Sequence, residues 1–374
     1  MGAPRKILNA ALRRAKAHIN QPLISDTSIQ ERVTAVCRNI SNRACVRLLM
    51  AALLAKIDNP TVDIRKPYTE IGTSDAYSGR SYDEKYIQEF IIEHDLPCNP
   101  TTAFLTPALR NRNTPLTPDL DLEGRPKELY KQVLQLLADV HEDKVPPEDL
   151  LAETIRCLLI FRDERKQRLE SMLAELRGSR MTGNIPLSAE AIVTLIQQHL
   201  TCPDSSRLPV LIIAAAYKSA ESSLKERVVP LRRHTAADSQ TRALGDLEIT
   251  LIDEDRVITS YEMKARRVTR SDINQALQKV MKKNVNNYIF ITTDAIEPEV
   301  QEYAKSLYKE TGGIEFVILD CIGFLRHFLH LFHRLRMQFL DSYQDLVLED
   351  YDVRQELKEA FLALRRAAES SNSA

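Results

Sequence analysis

The chain has no tryptophan, and its 374 residues include only ten glycines against seventeen prolines. Collagen-like and glycine-rich repeat architectures are thereby excluded. No internal repeat or low-complexity segment appears before a Ser/Ala-rich tail after about residue 367. Long apolar runs are also missing. The longest, residues 48–55 and 210–217, fall far short of the roughly 20 residues that a bilayer-spanning helix needs. The first 25 residues carry five Lys and Arg without the apolar stretch of a secretory leader, so a soluble cytoplasmic protein without membrane association is expected. The six cysteines show no C-x-x-C spacing and no zinc-like pairing with histidine. They read as reduced, mostly buried thiols. The G-x-x-x-x-G-K-[ST], G-x-G-x-x-G and G-x-S-x-G patterns are absent, which argues against a P-loop, a dinucleotide site and a hydrolase nucleophile elbow. A net charge of −1 leaves whole-chain electrostatics uninformative.

What remains is a chain with 44% hydrophobic and 28% charged residues, able to build a real core at a length that fits two domains. Residues 1–60 read as amphipathic helices with ten Lys and Arg against three Asp and Glu. Such helices form either a DNA-facing surface or solvated faces balanced elsewhere. Residues 58–126 are broken by prolines around one helix over about 81–94, and a long polar loop follows over 99–118. Loops of that length in compact proteins tend to be functional. Residues 126–200 return to helical spacing. From about 205 the pattern changes class: helix 208–227, strands 245–252 and 257–264, helix 271–283, strand 288–293, helix 297–310, strand 314–319 and helix 323–340. This order predicts a mixed sheet flanked by helices. The domains read as a mainly helical recognition region over 1–204, a catalytic core over 205–345, and a C-terminal helix and tail over 346–374.

The chemistry sits in the first two strands. Leu247, Ile249 and Leu251 alternate with Asp246, Glu248 and Thr250, and Val257, Tyr261 and Met263 alternate with Ser260, Glu262 and Lys264. Ile258 breaks the alternation near the turn. Strand side chains alternate faces, and the short link 253–255 makes the strands hairpin neighbours. The apolar faces coincide only if paired residue numbers sum to an even value. Sums of 508 or 510 fit the turn and set Asp246 opposite Glu262 or opposite Lys264. Either way Asp246, Glu248, Glu262 and Lys264 share a polar face. Like charges opposite each other destabilise a sheet, and a divalent cation removes that penalty. Mg²⁺ takes hard oxygen ligands and can activate water against a phosphodiester. The Glu-x-Lys spacing recurs at Glu142, Glu164 and Glu356 outside any strand, so strand context and the upstream acid carry the signal. Residues 256–283 hold eight Lys and Arg against two acids, as a polyanionic substrate requires. His327, His330 and His333 fall among Leu325, Phe328, Leu329 and Phe332 and read as parts of a packed helix.

Asp246 with Glu262, Met263 and Lys264 in this strand order resembles the PD-(D/E)XK nuclease superfamily, with Gly245 where the family name has proline. The resemblance implies a Mg²⁺ cofactor held by Asp246, Glu262 and the Met263 backbone carbonyl, with Lys264 assisting the attacking water. Glu221, on the preceding helix, resembles the further acid that some members add. Residues 68–84 and 99–113 resemble segments of bacterial type II restriction endonucleases, the SacI family in particular. That family implies a palindromic target, GAGCTC, a homodimer and a cognate DNA methyltransferase. The DNA-contact candidates are Arg80, beside Tyr77, Ser78, Gly79 and Ser81, then Arg110, Asn111, Arg112 and Asn113, and also His234, Arg266 and Arg267. Arginine suits bidentate contact with guanine and asparagine with adenine. The expected function is Mg²⁺-dependent, site-specific cleavage of double-stranded DNA. A structure-selective repair nuclease or resolvase, and a non-catalytic DNA-binding protein with a degenerate core, stand as alternatives.

Overall fold

The computed structural model describes residues 3–40, 42–99, 101–110, 112–123, 126–180, 185–231, 244–281 and 285–371. Asn111 and His234 lie outside the described residues. No helix among the described residues is long and apolar enough to cross a membrane. The chain forms two compact units, Met1–Arg168 and Leu169–Ala374.

The first unit is built from α1 (Ala3–Ala17), α2 (Thr27–Arg38), α3 (Ala44–Asp58), the short α4 (Gly79–Tyr82) and α5 (Gln88–Glu93), α6 (Lys127–His141), and the first part of α7 (Pro147–Arg180). The apolar run 48–55 explains its centre: every residue of α3 from Ala44 to Ala55 is buried, as expected of a helix that is apolar all round. Arg47 is buried with them and bonds Asp83 and the carbonyl of Asn99, while Asp83 also accepts from Thr102 and from the Ala103 N–H. This network ties the proline-broken segment to α3. The basic surplus of residues 1–60 is largely balanced within the unit: Arg5 pairs with Glu89, Arg14 with Asp149, Arg32 with Asp139 and Arg38 with Glu164.

In the second unit, α8 (Ala189–Leu200) and α9 (Leu208–Leu224) precede β1 (Glu226–Val228), β2 (Leu247–Leu251) and β3 (Val257–Lys264). Then follow α10 (Arg270–Val280), β4 (Asn287–Thr292), α11 (Pro298–Glu310), β5 (Glu315–Asp320), α12 (Cys321–Leu331), α13 (Arg336–Glu349) and α14 (Gln355–Ser371). The sheet runs β1-β2-β3-β4-β5, antiparallel across β1, β2 and β3 and parallel across β3, β4 and β5. The expected mixed α/β sheet with a mainly helical N-terminal region is what the chain forms. One sheet face, with Leu247, Ile249, Tyr261 and Ile291, packs in a core shared with α8, α9, α12, α13 and α14. The other, with Tyr288, Phe290, Phe316 and Ile318, packs against α10 and α11.

Several boundaries differ from the sequence reading. The units divide at 168/169 rather than 204/205, because Ile192, Val193, Leu195 and Ile196 of α8 belong to the second core. Residues 346–371 are no separate tail there, since Val347, Leu357, Phe361 and Leu362 are buried in that core. Helix α9 stops at Leu224 rather than 227, where Lys225 turns left-handed (φ 60°) and releases the chain into β1. A three-residue strand is too short for alternation to reveal. The helix expected over 323–340 is broken by a 3₁₀ turn, His333–Leu335, between α12 and α13.

Candidate active site

Strands β2 and β3 pair with Leu247 beside Tyr261, Glu248 beside Ser260 and Ile249 beside Thr259, a constant sum of 508. A sum of 508 is one of the two expected, and Asp246 immediately precedes the paired stretch. The register shifts between Ile249 and Thr250, where Thr250 meets Val257. That shift accounts for the parity break at Ile258, since a one-residue slip exchanges the faces of a strand.

Gly245 makes the close approach at the head of β2 possible. A Cβ there would fall 2.4 Å from Tyr261 O and 2.7 Å from Ser260 Oγ. In its absence, the Asp246 N–H donates to Tyr261 O at 2.8 Å. The Met263 N–H then donates to Asp246 Oδ2, also at 2.8 Å. The Asp246 carboxylate is thus held by backbone between Glu262 and Lys264. Lys264 Nζ donates to Glu262 Oε1 at 3.0 Å and lies 3.6 Å from Asp272 Oδ1. On the far side of Glu262, the Tyr288 hydroxyl lies 2.9 Å from Oε2. Glu262 and Lys264 are about four-fifths buried, at 18% and 21% side-chain exposure, so their contact is only partly screened by solvent. Burial works to lower the Lys264 pKa, but the Glu262 and Asp272 carboxylates outweigh it and hold the ammonium above the ordinary lysine range.

Asp272 joins this cluster although no strand pattern points to it. It is N3 of α10 and closes a capping box with Thr269. It also takes both guanidinium nitrogens of Arg266, at 2.7 and 2.9 Å. Burial works to raise its pKa, and the bonds from Arg266 and Thr269 and the charge of Lys264 hold it well below the carboxylate range. Its one signal in the sequence is the capping signature Thr269-x-x-Asp272 beside Arg266 and Lys264.

The other expected residues are placed as follows. Glu248 turns back to accept the Leu244 N–H at 2.8 Å and does not join the cluster. Glu221 lies half-buried on the last turn of α9, and its carboxylate makes no hydrogen bond or ion pair with Asp246, Glu262 or Lys264. Arg267 is exposed and pairs with Glu297 and Asp294. In the first unit, Arg80 pairs with Glu84 and Arg110 bonds the carbonyl of Leu105, both from exposed positions. Arg112 is half-buried and bonds Ala108 O, and Asn113 is exposed. Gly79 serves internal packing rather than an outside approach: a Cβ there would meet the Phe104 ring at 2.5 Å and Pro67 at 2.8 Å. Tyr77 is buried, with its hydroxyl donating to Ile64 O. Of His327 and His330 on α12 and His333 in the 3₁₀ turn after it, His330 faces Glu190 at 3.3 Å.

The donor set fits the implied metal. Asp246 and Glu262 offer hard carboxylate oxygens, and Glu262 Oε1 keeps a lone pair beyond the one used by Lys264. No group of three or more His, Cys, Asp or Glu able to hold a metal occurs among the described residues. Two carboxylates suit an ion such as Mg²⁺, which binds through one or two of them and keeps water or phosphate elsewhere.

Comparison with known families adds an independent line. Residues 185–293 match the SacI restriction endonuclease C-terminal domain. The segment lies wholly in the second unit and contains Gly245, Asp246, Glu262, Lys264, Asp272 and Tyr288. Over it the chain resembles the type II restriction endonucleases of that family, which supports a DNA-binding nuclease of a restriction system. No curated protein matches the chain.

Proposed function

We propose that this protein is a type II restriction endonuclease of the PD-(D/E)XK kind, cutting both strands of DNA at a short palindrome, with GAGCTC the sequence to test first. The observation that carries the reading is the convergence of Asp246, Glu262 and Lys264 at the β2–β3 pair inside the matched segment. Asp246 and Glu262, with the Met263 carbonyl, would hold Mg²⁺. When bound, the ion would supply positive charge against the developing negative charge and lower the pKa of attacking water.

Lys264 is held charged by its two carboxylate neighbours. It therefore acts as a hydrogen-bond donor and charge, not as the base. Its ammonium orients the attacking water and offsets charge on the phosphoryl oxygens as the P–O3′ bond breaks, leaving 5′-phosphate and 3′-hydroxyl ends. Arg266 and Arg267 line the approach and contact phosphates by exchanging Asp272 and Glu297 for the backbone. The first unit, with Arg80, Arg110, Asn111, Arg112 and Asn113, positions and reads the duplex, joined by His234. A palindromic target calls for two symmetric cutting sites and hence a homodimer, and a host carrying this enzyme needs a methyltransferase that protects the same sequence.

The test is incubation of purified protein with plasmid and long viral DNA, with Mg²⁺ and with chelator, followed by sequencing of the ends. Discrete Mg²⁺-dependent fragments that share one palindrome are expected, and Asp246→Ala should be silent. A smear, or cutting of branched DNA only, would replace the reading with a structure-selective nuclease. DNA binding without cleavage would replace it with a non-catalytic protein.

A further inference from the structure

We propose that Tyr288 is a positioning residue that fixes Glu262 as a one-oxygen metal ligand. The inference rests on the metal-holding roles proposed above for Asp246 and Glu262. Tyr288 belongs to β4 and pairs in register with Ser260 of β3, so its side chain shares the sheet face of Glu262. It is fully buried, and its ring packs against Phe290 and Phe316 with centroids 5.2 and 5.8 Å away. That packing fixes where the hydroxyl stands: 2.9 Å from Glu262 Oε2 and 3.0 Å from Leu244 O.

A phenol has one proton to donate. An ionised carboxylate is the stronger acceptor, so the proton goes to Oε2 while Glu262 is charged. With Oε2 held, the carboxylate cannot swing, and Oε1, the oxygen that also meets Lys264, is the one presented. The proximity to Leu244 O sets the same hydroxyl against the backbone two residues before Asp246. One buried side chain on a third strand therefore touches both ligand-bearing segments. Outer groups that orient a metal's ligands are worth about 10- to 100-fold in metal affinity.

The test measures Mn²⁺ binding to the full-length protein without DNA, by electron paramagnetic resonance of the free ion. Wild type is compared with Tyr288→Phe, Glu262→Gln and Leu307→Ala, a packing variant in the same core on α11, with urea midpoints for each. Tyr288→Phe should weaken binding about 10- to 100-fold. Glu262→Gln should abolish it, and Leu307→Ala should keep wild-type affinity even where its midpoint falls. Wild-type affinity in Tyr288→Phe, with Glu262→Gln unable to bind, would overturn the positioning role and leave the metal reading standing. Equal weakening in Leu307→Ala would overturn it as well, by assigning the effect to packing. Failure of wild type to bind, or unaltered binding in Glu262→Gln, would instead sink the metal reading beneath it.

Discussion

Replacing Gly245 with alanine adds one methyl group at a crowded point of the candidate site. The new Cβ would lie 2.4 Å from Tyr261 O, 2.7 Å from Ser260 Oγ and 3.0 Å from Tyr261 C, where ordinary contact begins at 3.4 Å. Two of these atoms are backbone of the partner strand, so no rotamer change relieves the clash, and the head of β2 must move by up to about 1 Å. The movement strains two 2.8 Å hydrogen bonds, from Asp246 N to Tyr261 O and from Met263 N to Asp246 Oδ2. Overpacking costs about 1–3 kcal/mol and each of the two lost bonds about 1 kcal/mol, so a total of about 3–5 kcal/mol is expected. A stability of about 5–15 kcal/mol can absorb that, so the variant should fold. Displacing a catalytic group by about 1 Å costs about 100-fold in rate. Urea denaturation reads the first quantity and Mg²⁺-dependent plasmid cleavage the second. Gly245→Pro should fail as badly, because proline carries a Cβ too, although the superfamily's name has proline at this place. Wild-type stability and cleavage in Gly245→Ala would refute the claim that this glycine sets the position of Asp246.

Three further outcomes are expected. Lys264→Ala should lower kcat about 100- to 1,000-fold, the usual cost of losing one donor to developing charge, while DNA binding in chelator measured by gel shift changes little. His199 is fully buried; its Nε2 lies 2.9 Å from Leu357 O, an acceptor only, so Nε2 carries the proton and Nδ1 accepts from Tyr343 at 3.0 Å. Burial lowers its pKa to about 4. The unfolded chain therefore binds the extra proton first as pH falls, and the neutral ring's contribution is full above the unfolded value of about 6.5 and lost as pH falls toward 4, by about 3 kcal/mol. Urea midpoints from pH 7 to 4 should show that decline, and His199→Gln should flatten it. Cys45 and Cys321 are buried, with burial pushing both thiols up to about 12, so a thiol reagent at pH 8 should label them only after denaturation, as mass spectrometry of the labelled peptides would register.

Much of the second unit is legible in the sequence because β strands declare themselves by alternation. The odd-numbered apolar and even-numbered polar residues of 246–264 restrict the hairpin to two registers, and the observed sum of 508 is one of them. The parity break at Ile258 marks the register shift. Less is legible where the signal is short or spatial. A three-residue edge strand, Glu226–Val228, has no period to read. Tyr288 and Asp272 lie beyond the hairpin, and only the parallel pairing of β3 with β4 and the start of α10 bring them to Glu262 and Lys264. In the first unit, Gly79 and Tyr77 stand beside Arg80 among the expected DNA-contact residues, whereas Phe104 and Pro67 crowd Gly79 and Ile64 O accepts from Tyr77.

By itself, then, the sequence determined which residues alternate and that a mixed sheet flanked by helices would carry them. These are properties of local periodicity, written within a few residues of one another. The tertiary structure alone decided the register, the crowding that makes Gly245 necessary, the second carboxylate beside Lys264, and the tyrosine beside Glu262. Each of these joins residues distant in the chain or on different strands, and such contacts are set by how apolar faces pack in three dimensions, which no local pattern encodes.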